Sequence, residues 1–205
     1  FLDNPAVRVR EWYEVVTRQL LKPLADGEVR LVIDGSKVGN GHQLLMVALV
    51  HCRRALPLAW TWVKGTRGHS SAEKQLALLN YVRSLLSPGS RVLLVGDAEF
   101  GSISVIRQLR HWRWFYVLRQ KSNHLVRKKG IRQWQHFGSL VQKSGQQVWW
   151  PEAFLTGEWK YPTALLAYWA SGEKEPWLLA TNLPDARQTR QTYKRRMWVE
   201  EMFGD

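Results

Sequence analysis

The chain has 205 residues, with 30 Lys+Arg against 17 Asp+Glu, a formal net charge of +13 and a pI near 10.2. That length suits one domain, or one domain with an insertion, and an apolar content of 45% rules out a disordered tail. The longest apolar run, Leu44 to Val50, is too short to span a bilayer, and the lone Cys52 excludes an intramolecular disulfide or a multi-cysteine zinc site. No basic-then-apolar leader is recognisable, so the expectation is a protein of the reducing cytosol with no membrane partner. The charge favours a polyanion, nucleic acid first.

In chain order, residues 5 to 22 carry Val9, Trp12, Tyr13, Val16 and Leu20 near helical spacing and stop at Pro23. Strands are expected at Val29 to Ile33, Gln43 to His51 and Leu56 to Val63, with turns at Gly35 to Gly41 and Cys52 to Ala55. Such short connections predict antiparallel pairing. Ser70 or Ser71 caps a helix from about Ala72 to Leu86, stopped by Pro88-Gly89. Arg91 to Gly96, with its Val-Leu-Leu-Val centre, reads as a strand buried on both faces. A helix after Gly101 and a strand at Trp114 to Leu118 follow.

Three antiparallel strands, then helix, strand, helix, strand, is the order of an α/β fold of the RNase H-like kind, a mixed sheet flanked by helices. The expected closing helix is delayed. Residues 120 to 184 are rich in Gly, Pro, Trp and Lys, with strands at Gln146 to Trp150, Thr163 to Ala170 and Trp177 to Thr181. They read as a β-rich insertion before a last helix starting near Asp185. The expected organisation is a helical lead-in over 1–28, the first part of the core over 29–119, the insertion over 120–184 and the closing helix over 185–205. A first residue that is not Met, and an end inside a helical pattern, give the chain the look of a fragment.

The charge is unevenly spread. Between Glu99 and Glu152 there are ten Lys or Arg and no acid, and between Asp185 and Glu200 five more. Lys37, Arg119, Lys121 and the run Arg127 to Arg132 are candidates for backbone contacts with nucleic acid. The 12 tryptophans mixed with these cations suit base stacking, although most are expected in the core.

Three acids stand out. Asp34 closes the first expected strand, where Asp-Gly also suits a hairpin turn. Asp97 follows the buried strand, at the end where open α/β sheets carry functional groups, and a helix N-cap is its other reading. Were the two strands adjacent, about 4.8 Å would separate them, and the carboxylates could share a divalent metal. Glu200 shares a helical face with Tyr193 and Arg196, a spacing that a surface ion pair would also produce. Three hard-oxygen ligands suit Mg2+ or Mn2+ rather than zinc. The six histidines form no pair at ligand spacing.

The blocks I-D-G-S-K, V-G-D-A-E-F-G and Y-K-R-R-M-W-V-E-E-M-F, in this order, resemble the three catalytic blocks of bacterial DDE transposases. More narrowly they resemble the insertion-sequence-4 type with its signature Y-x2-R-x3-E-x6-K. Tyr193, Arg196 and Glu200 match in register; Glu99 stands where many members carry a basic residue, and the signature's Lys falls past Asp205. The resemblance spans about residues 29 to 205. It implies a nucleoid-associated cytoplasmic enzyme that cuts and joins double-stranded DNA, transposon ends to target, working as at least a homodimer. Asp34, Asp97 and Glu200 would hold two Mg2+ (or Mn2+) ions, with Arg196 and Tyr193 on nearby phosphates. P-W-L-L-A-T resembles the family's W-L-L-x-T strand, which gives Trp177 the role of stacking a flipped base; core packing is the other reading. The rival functions are an RNase H-like nuclease or resolvase that does not join, and a catalytically dead DNA-binding relic.

Overall fold

The structure is a computed structural model, and it describes residues 9–24, 27–38, 41–64 and 70–196. Its described strands are β1 (Glu28–Val38), β2 (His42–His51), β3 (Arg54–Lys64), β4 (Arg91–Gly96), β5 (Phe115–Arg119), β6 (Leu125–Lys128), β7 (Gln135–His136), β8 (Gln147–Leu155), β9 (Tyr161–Tyr168) and β10 (Trp177–Thr181). The helices are α1 (Val9–Leu21), α2 (Ala72–Leu85), α3 (Ile103–His111) and α4 (Ala186–Lys194).

The strands form one sheet in the order β3-β2-β1-β4-β5-β10-β9-β8-β6-β7. The first three make an antiparallel meander, and Cys52 and Arg53 at the β2–β3 hairpin both have positive φ. Two such residues match the strand twist in a two-residue hairpin. β4 lies parallel to β1, and β5 parallel to β4. That five-strand order is the RNase H-like core expected from the sequence. β5 then pairs antiparallel with β10, so β6 to β10 extend the same sheet sideways.

Alternation along the central strands divides the core in two. Leu31, Ile33, Leu94, Tyr116 and Leu118 face α2 and α3, where Leu79, Val82, Ile106 and Leu109 meet them. Val32, Leu93, Val95, Val117 and Leu179 face the other way, against Tyr193 of α4. Gly96 is needed at the close of β4, since a Cβ there would lie 3.0 Å from both Ile33 Cγ2 and Leu118 Cδ2.

Several expectations shift in detail. β1 runs on through Val38, so Asp34 sits within a strand and pairs with Met46. Gly35 is tolerated there because a side chain would collide with Gln43. Ser71 caps α2 by accepting from Lys74 N. On α1 the inward residues are Tyr13 and Thr17, which donate to the carbonyls of Pro57 and Leu58 on β3. Trp12 and Val16, expected inside, are 74% and 46% exposed. The tryptophans are mostly half-buried, with only Trp114 and Trp150 buried among the described residues. β6 and β7 were not anticipated.

Candidate active site

Register brings the first two acids together. The β1–β4 ladder pairs Val32 with Val95 and Ile33 with Gly96, so the next step sets Asp34 beside Asp97. Alternation then turns both toward the face covered by α4. Asp97 Oδ1 accepts from Glu99 N at 3.2 Å and caps a single 3-10 turn over Ala98–Phe100. The helix that follows, α3, is capped instead by Ser102, which accepts from Val105 N, so Asp97 caps only this turn and does so with one oxygen. Asp97 Oδ2 lies 3.6 Å from Arg196 Nη2, and Asp34 Oδ1 lies 3.7 Å from the same nitrogen. Asp34 Oδ1 also accepts from Gly35 N at 3.0 Å.

Arg196 reaches this point because of how α4 starts and stops. Asp185 opens the helix by accepting from Gln188 N. Arg195 N and Arg196 N then bond back to the carbonyls of Thr192 and Tyr193, tightening the last turn. Tyr193 and Arg196 thus stay three apart on one side, as the spacing predicted. Glu200 lies outside the described residues. Tyr193 is only 4% exposed, packed in the core cluster on this face of the sheet. Burial raises its phenol pKa, and the Arg196 and Arg119 guanidiniums pull part of that back.

The Trp177 ring makes T-shaped contacts with Tyr193 and Tyr168, with ring centroids 5.2 and 5.9 Å apart. Trp177 is half-buried, so it packs against Tyr193 and still presents surface. Arg119, at the end of β5, bonds Glu175 at 3.0 Å. A cleft of about 770 Å³ runs from Asp97 past Arg119, Lys121, Ser122 and Asn123 to Glu175. Two candidate cations therefore share a groove with the acid. Lys37 is exposed on β1 but three residues from Asp34, so alternation sends it from the opposite strand face.

The run from Arg127 to Arg132 is partly absorbed by the fold. Arg127 lies between the Trp134 and Phe154 rings, 5.2 and 4.8 Å from their centroids, and Lys129 bonds Glu152 at 2.7 Å. It also stands on β6, five strands from β4 in the sheet, or roughly 24 Å at ~4.8 Å per strand.

One group escaped the sequence reading. Glu99 turns away from Asp97 to the α2 face, where its carboxylate accepts from Ser70 N and Ser70 Oγ and from Gln43 Nε2. Gln75 Nε2 binds Ser70 O, Ser70 Oγ and Glu99 O, fastening the start of α2 to the turn after β4. The departure of Glu99 from the resembled pattern was the one signal available.

No cluster of three or more His, Cys, Asp or Glu able to hold a metal is present among the described residues. What they do provide is two carboxylates directed at one positively charged point, a hard-oxygen donor pair that fits a divalent cation of the Mg2+ class.

Comparison with known proteins now decides the family. The model for the transposase DDE domain matches residues 27–205. The chain belongs to that family. The match takes in Asp34, Asp97, Tyr193 and Arg196 alike. No curated protein matches the chain significantly. Among solved structures it is similar to a piggyBac transposase synaptic complex with hairpin DNA, at 16% identity and a TM-score of 0.54 over 98% of this chain. It spans about half of that transposase, 47% of its chain. A Ciona intestinalis endonuclease V bound to inosine-containing DNA is similar at 12% identity, covering 91% of this chain and 87% of that one, with a TM-score of 0.37. Marinitoga piezophila Argonaute, with guide RNA and target DNA, is similar at 12% identity, covering 83% of this chain and 25% of the Argonaute chain, with a TM-score of 0.34. No helix among the described residues is long and apolar enough to cross a membrane.

Proposed function

We propose that this DDE domain is the catalytic part of a DNA transposase of the bacterial insertion-sequence-4 type, cutting phosphodiesters and joining the released 3′-hydroxyl ends to target DNA. The observation that carries the reading is the convergence of Asp34 and Asp97 on one point at the α4 face. Asp34, Asp97 and Glu200 would hold the divalent metal, two Mg2+ or Mn2+ ions in this reading. Bound there, the metal supplies an activated water or 3′-hydroxyl and charge stabilisation of the leaving oxygen. The residues themselves do the positioning. The β1–β4 register fixes the two carboxylates, and the Gly35 and Glu99 amides orient one oxygen of each.

Arg196 offers a guanidinium able to take two oxygens of a phosphate. Tyr193 supports it from within the fold and, with its hydroxyl buried, would need to move to touch DNA. Arg119 and Lys121 line the groove leading away from Asp97 and would carry the DNA backbone. Trp177 packs against two tyrosine rings and is only half-buried, which suits it to stack an unpaired base near the cut. Lys37 lies on the other strand face and would serve only DNA that wraps the β1–β2 end. The division into lead-in, core, insertion and closing helix stands as part of the same proposal, as do the nucleoid location and a homodimer that holds two ends.

The test is incubation of the protein with Mg2+, a pre-cut 3′-hydroxyl transposon end and target DNA. Joined product, lost in Asp34→Asn and in Asp97→Asn, is expected. Hydrolysis without joined product would replace transposition by a nuclease, and undiminished cleavage in Asp34→Asn would remove the site.

A further inference from the structure

Resting on the metal reading above, we infer that Arg196 is the resident counter-charge of the Asp34–Asp97 pair, and that a DNA phosphate opens the pair to metal by drawing this guanidinium away. Two carboxylates set side by side repel, and the cost rises where water is partly excluded. Here the Asp34 and Arg196 side chains are 16% and 12% exposed. One nitrogen, Arg196 Nη2, stands within 3.7 Å of both acids and supplies the positive charge that their proximity requires.

The same geometry makes the arrangement exchangeable. Charge-assisted hydrogen bonds between guanidinium and carboxylate close to about 2.7–2.9 Å. At 3.6 and 3.7 Å, Arg196 is attracted to both acids without a tight bond to either. It stands two residues past the end of α4, on a long side chain that can re-aim while its amide stays on the Tyr193 carbonyl. A divalent cation between Asp34 and Asp97 would meet that guanidinium at close range, so the two positive charges compete for one pair of acids. A phosphate in the adjoining cleft offers Arg196 a bidentate partner and relieves the competition. Metal and DNA therefore bind with positive coupling, and by linkage each strengthens the other to the same extent. An enzyme built this way takes up metal poorly until its substrate is in place.

The experiment titrates the protein with Mn2+ alone, reading free Mn2+ by electron paramagnetic resonance, with and without a saturating short DNA duplex whose own Mn2+ uptake is subtracted. Wild type is expected to bind Mn2+ on the order of tenfold more tightly with the duplex present, within the usual range of coupling energies. Arg196→Gln should bind Mn2+ on the order of tenfold more tightly than wild type without DNA, and gain little when DNA is added. Arg196→Gln binding no more tightly than wild type in the absence of DNA overturns the inference. The wild-type pair of titrations needs no variant, and equal affinity with and without the duplex overturns it as well. Asp34→Asn separates the two levels: Mn2+ binding there as strong as in wild type would remove the metal reading itself.

Discussion

The seam between β5 and β10 joins the first five strands to the last five, and one tyrosine tests how it is held. Tyr116 is fully buried on β5, and its hydroxyl lies 2.9 Å from Thr163 Oγ1 on β9. Thr163 Oγ1 in turn donates to Thr181 O at 2.9 Å, and Thr181 Oγ1 donates to Tyr116 O at 2.7 Å, closing a loop across three strands. With the threonine proton committed to Thr181, the tyrosine must donate. Tyr116→Phe keeps the ring and its packing and removes that donor, at a cost of about 1 kcal/mol near neutral pH.

The same burial gives the variant a second signature. Burial pushes the Tyr116 phenol from 10.0 up to about 12, outweighing the Thr163 hydrogen bond and the nearby Arg110, which lower it. The folded protein therefore holds this proton more tightly than the unfolded chain does. The stability that depends on it is complete below pH 10.0 and is lost as pH rises toward about 12. A rise of this size corresponds to roughly 3 kcal/mol over the whole window, about half of it lost by about pH 11. Phenylalanine has no such titration. Urea unfolding of wild type and Tyr116→Phe at several alkaline pH values should show a deficit of about 1 kcal/mol near neutrality that closes by about pH 11. The other buried tyrosines titrate equally in both proteins and cancel. A difference that stays constant across the pH series would refute the assignment of a buried, proton-donating Tyr116.

Three further outcomes follow. Gly101→Ala places a Cβ 2.5 Å from the Arg119 carbonyl and against the Gln120 amide, and should lower stability by about 1–3 kcal/mol in thermal melts. Glu99→Gln keeps the shape of the network but weakens the charge-assisted bonds from Ser70 N and Ser70 Oγ, for a loss of about 1–2 kcal/mol by urea titration. DNA affinity measured by fluorescence anisotropy should fall at least about tenfold between low and moderate salt, given the net charge of +13. A flat response would sever the charge from the function.

What the sequence could convey, and what it could not, separates along a physical line. The Val-Leu-Leu-Val run announced a strand buried on both faces, and β4 is one. Ser71 announced the start of α2 because capping is a local hydrogen bond. Asp34 reads as the end of a strand, where Asp-Gly also suits a local turn. Pairing with β2 overrides that preference and carries β1 on through Val38. Leu125 to Lys128 carries two cations in four residues and no clear alternation, so β6 is invisible until β8 lies alongside it and two rings flank Arg127. Helical spacing did align Tyr193 with Arg196. It could not reveal that one guanidinium nitrogen reaches both acids, because that depends on the β1–β4 register and on where α4 ends.

The charge acquires its meaning from the same sheet. A net charge of +13 could equally have described a uniformly basic surface. Instead the chain after β5, the strand next to the one that leads into Asp97, starts beside the acids. Arg119 and Lys121 are therefore in the cleft with Asp97 by topology. Farther out, positive charge is spent on the fold: Arg127 on two rings, Lys129 on Glu152, Arg107 on the Trp159 ring and Arg110 on the Pro162 carbonyl. Basic residues of one acid-free stretch thus serve two ends. Arg119 and Lys121, at and just past the end of β5, border Asp97, while Arg107 and Arg110 on α3 and Arg127 on β6 hold rings and a carbonyl of the chain beyond it.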